Sequence, residues 1–599
     1  MGLLAGLKRE LTFIGRLRRL LKRIKPIDLD SDVLVCDDIE QAVDQWPDAC
    51  AIEDELRAVT YREFDALSNR YAHWARGRGV KRGDTVALMM MNRIEYLAAW
   101  VGVSKIGAAT ALINTNLTGQ PLAHCLDIAG ARLVIADSDC WPAIEDARLL
   151  LEKPVSLWVH GLKPEDETSE RRGLDAAVKG ASAVRPDRAI RQGLTNRDTA
   201  LYIYTSGTTG LPKAARIPHS RARTYMRAFA GFTAGKSPDR LYCVLPLYHA
   251  TGGLCGVGSA LLNGGTVILR KRFSANGFWP DVAASRATTF VYIGELCRYL
   301  LNTPESEFDR AHGLRLAFGN GLRGEVWTPF QSRFVIPEII EFYGSTEGNV
   351  SLFNFDGKAG AVGRIPPYLR SVLNVRLIRY DVDADDIVRG SDGLVQEAGI
   401  GEVGEAVGEI KATVRNDYSG YADRKASEKK VLRDVFRKGD AWFRTGDLMR
   451  RDSKGYFYFI DRIGDTYRWK GENVSTTEVE QRLAEAPNVG EVIAYGVAVP
   501  GHDGKAGMVV ISIDGRFSIK RFAEYVNAEL PHYARPVFVR LKKTLETTGT
   551  FKYRKVDLVS DGFDPHATDD ALYVRKPDGS YARINDAVHV DVISGALRL

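Results

Sequence analysis

Apolar and polar positions along this chain switch repeatedly between two periods. From about residue 40, Tyr61 to Gly79 has the spacing of a helix closing on a glycine, Asp84 to Leu88 that of a short strand, Ile94 to Ile106 that of a second, apolar helix, and Leu133 to Ala136 that of another strand. Repeated strand-then-helix patterning predicts parallel sheets covered by helices. Residues 161–196 are polar and poor in pattern, which predicts a loop. Further strands are expected at Leu316 and at Ile339 to Tyr343, each opening onto a glycine-bearing turn. After Asp465 a helix (Ser475 to Ala484) and strands (Val492 to Val497, Met508 to Ile513) predict a smaller α+β region.

The first 25 residues stand apart. Phe13, Leu17, Leu20, Leu21 and Ile24 recur at helical spacing, with Arg9, Thr12, Arg16, Arg19 and Arg23 mostly opposite, and Pro26 ends the run. A basic amphipathic helix suits the surface of an anionic membrane; the alternative is a helix docked on the protein itself or on a partner. Arginines interrupt the apolar part, which argues against a signal peptide. Gly6 stands where myristoylation expects Ser or Thr.

Composition narrows the class. A chain of 599 residues exceeds one core, so two or more domains are expected. Seven cysteines, none in a CxxC pair and none after Cys297, argue for a reducing compartment and against a zinc site or disulfide framework. No apolar run reaches the roughly 18 residues of a spanning helix. Net charge is +6, yet residues 1–25 alone hold eight cations against Glu10. The basicity is therefore terminal, which argues against nucleic acid as a partner of the body.

The candidate chemistry sits in glycine-bearing turns. A β-rich run, Thr199 to Tyr204, stops at Thr205, Ser206, Gly207, Thr208, Thr209 and Gly210, and Lys213 follows Pro212. Glycines let successive N–H groups converge on one anion, hydroxyls add donors, and the lysine adds a point charge. That set suits polyphosphate, although the spacing is not that of a P-loop leading into a helix. The proline-fixed turn in LPLYHATGG presents Tyr248 and His249, the latter readable as pocket-lining or as structural. Gly319, Asn320 and Gly321 end one predicted strand. Tyr343, Gly344, Ser345, Thr346 and Glu347 end another, where ligands sit in parallel sheets. A carboxylate such as Glu347 is repelled by phosphate unless a divalent cation lies between them, and magnesium resolves that conflict; taken alone, Glu347 reads as a solvated acid. In WFRTGDL, Asp447 follows a tight turn and can accept hydrogen bonds from two vicinal ribose hydroxyls.

TSGTTGLPK, from Thr205 to Lys213, resembles the signature loop of the adenylate-forming enzymes, the superfamily of acyl-CoA synthetases, firefly luciferase and peptide-synthetase adenylation domains. The resemblance implies that this loop binds the β- and γ-phosphates of ATP. It implies further that Thr346 contacts phosphate, that Glu347 ligates magnesium, and that Tyr343 stacks on adenine beside Gly319, Asn320 and Gly321. By the same resemblance Asp447 and Arg462 meet the ribose, Gly464 is a hinge, and Tyr248 and His249 lie on the acyl side. Lys552, in TGTFK, matches the lysine that bridges the attacking carboxylate and the α-phosphate. Asp461 to Glu480, which contains Gly471, Glu472 and Asn473 as candidate acyl- or CoA-side residues, is similar to the very-long-chain acyl-CoA synthetase and fatty-acid transport protein subfamily. Tyr292 to Asn302 and the ASEKK run point the same way.

These readings combine into an α/β enzyme. A large adenylation domain of helix-covered sheets (27–461) follows the N-terminal helix (1–26), and a hinge (462–465) leads to a small mobile α+β lid (466–599). The expected reaction converts a long- or very-long-chain fatty acid, ATP with Mg2+, and coenzyme A into acyl-CoA through acyl-AMP, releasing AMP and pyrophosphate. The alternatives are a fatty-acid uptake protein, a bile- or steroid-acid CoA ligase, an acyl-AMP ligase serving a carrier protein, or an unrelated ATPase. The expected location is cytoplasmic or peripheral on the inner face of a membrane.

Overall fold

The computed structural model describes the chain except residues 1–2, 206–210, 371–372, 382–383, 385, 415, 470–471, 501, 503, 514, 546–554 and 598. It is a mixed α/β protein of two compact units. One comprises Met1–Asn374, Gly408–Leu432 and Ala441–Phe443; the other comprises Val375–Val407, Arg433–Asp440 and Arg444–Leu599.

The first unit holds two large sheets. In one, Thr199–Thr205 joins Ala109–Leu112, Thr85–Met89, Leu133–Asp137, Ser156–His160 and Arg171–Gly173 in parallel, and Lys213–Pro218 closes the edge antiparallel. The central strands Thr85–Met89, Ala109–Leu112 and Leu133–Asp137 are buried on both faces, which is why they read as short unbroken apolar runs such as LVIA. The other sheet runs Ser351–Asn354, Ile339–Gly344, Leu316–Asn320, Thr289–Ile293, Arg240–Cys243, Thr266–Leu269, Cys50–Glu53 and Ala58–Thr60. Its interior pairings are parallel, so the carboxyl ends of Arg240–Cys243, Leu316–Asn320 and Ile339–Gly344 lie at one edge.

The expected loop at 161–196 is corrected. Arg171–Gly173 is the edge strand beside Ser156–His160, and Asp175–Lys179 is a short helix. A three-residue strand of two arginines and a glycine carries no alternation, so pattern alone misses it.

The N-terminal helix, Leu3–Ile24, docks its predicted apolar stripe on the protein, the second of the two expectations for it. Its apolar stripe faces the protein: Phe13 and Leu20 are buried, and the Phe13 ring lies 5.7 Å from Phe355. At Gly231 of the helix His219–Phe232, an added Cβ would stand 2.9 Å from the Arg19 carbonyl, so the two helices touch backbone to backbone there. Arg16, expected on the outer face, is buried; it donates to the Phe355 carbonyl and pairs with Glu338 at 2.6 Å. Among the described residues no helix is long and apolar enough to cross a membrane.

The second unit contains a five-stranded sheet, Val489–Ala498, Lys505–Ile513, Phe538–Lys542, Ala571–Arg575 and Tyr581–Arg583. Val479 and Leu483 of the helix Thr476–Leu483 and Phe522 and Val526 of Ile519–Glu529 join the buried core it shares. The same unit carries the antiparallel pair of Ala441–Arg451 (from Arg444 on) with Tyr456–Arg462.

Candidate active site

Thr205 and Lys213 are register partners closing the hairpin between Thr199–Thr205 and Lys213–Pro218. The turn they flank, holding Ser206, Gly207, Thr208, Thr209 and Gly210, lies outside the described residues. Ala215 bridges Tyr421, whose ring centre is 5.8 Å from the Lys213 ammonium. The Ser427 hydroxyl of the ASEKK run accepts from the Tyr421 N–H at 2.8 Å and donates to the Asp423 carbonyl at 2.9 Å, holding that turn against the hairpin.

Glu347 is buried. Burial first, and then the neighbouring Glu347 carboxylate, push the phenols of Tyr418 and Tyr421 well above their ordinary range. Tyr421 therefore neighbours both Glu347 and Lys213. Two side chains of His219–Phe232, one helical turn apart, fix the loop that carries Glu347. Arg221 donates to the Thr346 carbonyl at 3.1 Å and to the Asp417 carbonyl at 2.9 Å, and the Tyr225 hydroxyl donates to the Ser345 carbonyl at 3.2 Å. The Ser345 hydroxyl accepts from the Gly348 N–H at 3.1 Å. Gly348 has no room for a side chain, since a Cβ would fall 2.2 Å from the Phe443 ring.

Tyr343 and Gly344 end their strand, and Gly319 and Asn320 end the next one. Asn320 accepts from the Thr251 hydroxyl at 3.4 Å, and Gly321 turns the chain at φ 82°. Tyr248 and His249 follow the strand Arg240–Cys243 at the same edge. Asn92 pins their turn: its amide donates to the Leu245 carbonyl at 2.9 Å and its carbonyl accepts from the Leu247 N–H at 3.0 Å. Tyr248 is buried, its phenol pushed up to about 12 by that burial, and its ring lies 4.6 Å from the His249 ring. The glycines after His249 sit in a wide helical turn, Thr251–Gly256, not in an open loop. They pack on the turn before them: a Cβ on Gly253 would meet the Leu247 carbonyl at 2.0 Å.

In the second unit, Asp447 and Arg462 are cross-strand partners, with Arg462 Nε 3.4 Å from Asp447 Oδ1. Asp447 is buried, and its N–H donates at 3.0 Å to the Thr445 hydroxyl, which in turn donates to the Ala406 carbonyl at 2.7 Å. Glu405, wholly buried and paired with Arg444 at 2.7 Å, accepts from the Gly446 N–H at 3.1 Å and so holds the turn before Asp447. Gly464 stands two residues past Arg462 at φ 92°, with nothing within 4 Å of a would-be Cβ. Lys552 and Gly471 lie outside the described residues. Glu472 and Asn473 fall on the strand Glu472–Val474, paired with Trp469 and Arg468.

A family model described as AMP-binding enzyme matches residues 39–388, and one described as AMP-binding enzyme C-terminal domain matches 478–552. The chain belongs to the AMP-binding enzymes. It is 42% identical over 569 residues to long-chain fatty acid transport protein 1 of Homo sapiens, covering 94% of this chain and 87% of that one. It is 41% identical over 550 residues to long-chain fatty acid transport protein 2 of Rattus norvegicus, covering 90% and 87%. The crystal structure of the anthranilate CoA ligase AuaEII in complex with anthranoyl-AMP superposes with a TM-score of 0.74 at 20% identity, covering 90% of this chain and 98% of that one; it shares the fold.

For an AMP-binding enzyme the residues present fit one divalent cation held lightly. Among the described residues no group of three or more His, Cys, Asp or Glu could cage a metal. A single buried carboxylate, Glu347, beside phenols is what remains. That donor set suits magnesium carried mainly by phosphates and water, which the cation would help to neutralise. Pattern reading missed Arg221, Tyr225, Glu405 and Tyr421. Each acts on backbone or on a partner distant in sequence, which no local pattern relates.

Proposed function

We propose that this AMP-binding enzyme is an ATP-dependent acid–thiol ligase that activates long- or very-long-chain fatty acids. The observation that carries the reading is similarity over nearly the whole chain to proteins named for long-chain fatty acids. It is supported by a buried Glu347 at the strand-end loop and by the Asp447–Arg462 pair.

A carboxylate oxygen of the fatty acid attacks the α-phosphorus of ATP, and the bond to the β-phosphate oxygen breaks as pyrophosphate leaves. The CoA thiol, losing its proton, then attacks the acyl carbon and AMP departs with the electron pair of the acyl–oxygen bond. The protein supplies position and charge, not a nucleophile of its own. Thr205, Lys213 and the turn between them, with Thr346, take the phosphates; Glu347 would hold the cation. Gly319, Asn320, Gly321 and Tyr343 flank adenine. Asp447 and Arg462 orient the ribose, and Lys552 places an ammonium on the charge that develops in the first step. Gly464 is the pivot between the half-reactions, because glycine absorbs large φ/ψ changes at little cost. The test is fatty-acid-dependent exchange of labelled pyrophosphate into ATP, followed by AMP release on adding CoA, across acids of graded length. Exchange with no CoA-dependent step would point to a carrier-protein ligase, and phosphate release to an ordinary ATPase.

A second reading concerns location. The outward face of Leu3–Ile24 is a stripe with Leu7 58% exposed, Leu11 61% and Ile14 38%, continued by exposed Arg18, Lys22 and Lys25. The i, i+4, i+7, i+11 spacing puts them on one side of the helix. An apolar stretch running into cations matches the interface of an anionic bilayer. Peripheral attachment through this face is therefore part of the proposal.

A further inference from the structure

Three neighbouring parallel strands of the first unit place Tyr292, Gly319 and Glu341 in one cross-strand row. Side chains at matched register share a face of the sheet, so a residue with a side chain at position 319 would separate the other two. Gly319 leaves that space open: an added Cβ would fall 2.5 Å from the Tyr292 ring. Through it the Tyr292 hydroxyl donates to Glu341 Oε2 at 2.7 Å, across an intervening strand. Glu341 Oε1 accepts from the Leu322 N–H at 3.0 Å, in the turn just beyond Gly321. Gly294 packs beneath the same turn, where a Cβ would meet the Gly321 carbonyl at 1.8 Å. Glu341 is 1% exposed, and burial pushes its carboxyl up to about 8. An acid sequestered this deeply is costly, and hydrophobic side chains of similar size pack there at less cost. The strand that carries it also carries Tyr343, two residues on and on the same face.

We infer that Glu341 is a positioning residue for nucleobase recognition, tying the Gly319–Leu322 turn to the strand that bears Tyr343 and so setting the width of the slot between them. The slot's occupant is a purine ring, and the inference rests on the proposed ATP-dependent function. Tyr292 is the second member of the tie, and the first glycine of GNG serves to let the two side chains meet. Glu341 itself need not touch the base.

The full chain, titrated with ATP and with GTP by calorimetry, provides the test alongside steady-state kinetics. Glu341→Leu should bind ATP at least tenfold more weakly, with a matching rise in KM, little change in kcat, and a smaller preference for ATP over GTP. Glu341→Gln, whose amide can accept from Leu322 and donate to Tyr292, should stay within about twofold of wild type. Tyr292→Phe removes the hydroxyl that meets Glu341 and, at 3.3 Å, the Ile340 carbonyl, with little change in volume; it should fall between them, and it decides the matter if Glu341→Leu does not fold. The inference is overturned if Tyr292→Phe and folded Glu341→Leu keep wild-type affinity and base preference, or if Glu341→Gln is as impaired as Glu341→Leu. Wild type that binds neither nucleotide would instead sink the functional reading.

Discussion

Asp447 and Arg462 face one another across two antiparallel strands, 3.4 Å apart, with the carboxylate buried and the guanidinium half exposed. Fifteen residues separate them, and the Thr445–Ala406 and Gly446–Glu405 hydrogen bonds fix the turn beside the acid. In the proposed function this carboxylate would accept from the vicinal ribose hydroxyls, with the Arg462 cation alongside to orient them.

Removing that acid should be felt at the ribose. Hydrogen bonds to a charged group are worth about 1.5–3 kcal/mol. Asp447→Ala is expected to raise KM for ATP by roughly ten- to a hundredfold and to erase the preference for ATP over 2′-deoxy-ATP, measured by pyrophosphate exchange. An unchanged preference for the 2′-hydroxyl would remove Asp447 from the ribose site.

Lys552 should act in one half-reaction only. Lys552→Ala is expected to slow acyl-AMP formation by about a hundredfold, the usual loss for one charge-stabilising donor. Conversion of supplied acyl-AMP to acyl-CoA should be largely spared. Equal damage to both steps, followed by rapid quench, would reject the assignment.

The exposed stripe of the N-terminal helix makes a prediction that its buried stripe cannot. Each surface cation is worth about 1 kcal/mol near an anionic bilayer, so Arg18→Gln/Lys22→Gln/Lys25→Gln together should weaken binding to phosphatidylglycerol vesicles about a hundredfold. Leu7→Gln/Leu11→Gln should weaken it further, and turnover on a soluble acid should persist in both. Flotation in which wild type ignores anionic vesicles, or in which the variants float equally well, would end the membrane reading.

Glu341 gives stability a pH signature. Its carboxyl titrates near 8 when folded and near 4.5 in the unfolded chain, so the folded state holds the extra proton between those values. Its contribution is then fully present below the lower value and is lost as pH rises through the upper one. The melting temperature of wild type minus that of Glu341→Gln should therefore fall between pH 5 and pH 8 and level off above. A difference that rises or stays flat over that window would mean the acid is ionised in the fold.

Sequence alone determined the alternation of strands and helices, the glycine-bearing turns at 319–321 and 343–347, and the acid and arginine at 447 and 462. All of these depend on short-range chemistry: an apolar run needs burial, and a turn needs glycine. It also made the N-terminal segment an amphipathic helix, but not which way that helix faces. Tertiary structure decided that, because the stripe of Phe13 and Leu20 finds its apolar partners in residues such as Phe355, hundreds of positions away. Arg221 on the Thr346 carbonyl, Tyr225 on the Ser345 carbonyl, and Tyr292 reaching Glu341 over Gly319 belong to the same class. Their partners are set by the order of the parallel strands and by the helix packed on them, which join residues no local period relates.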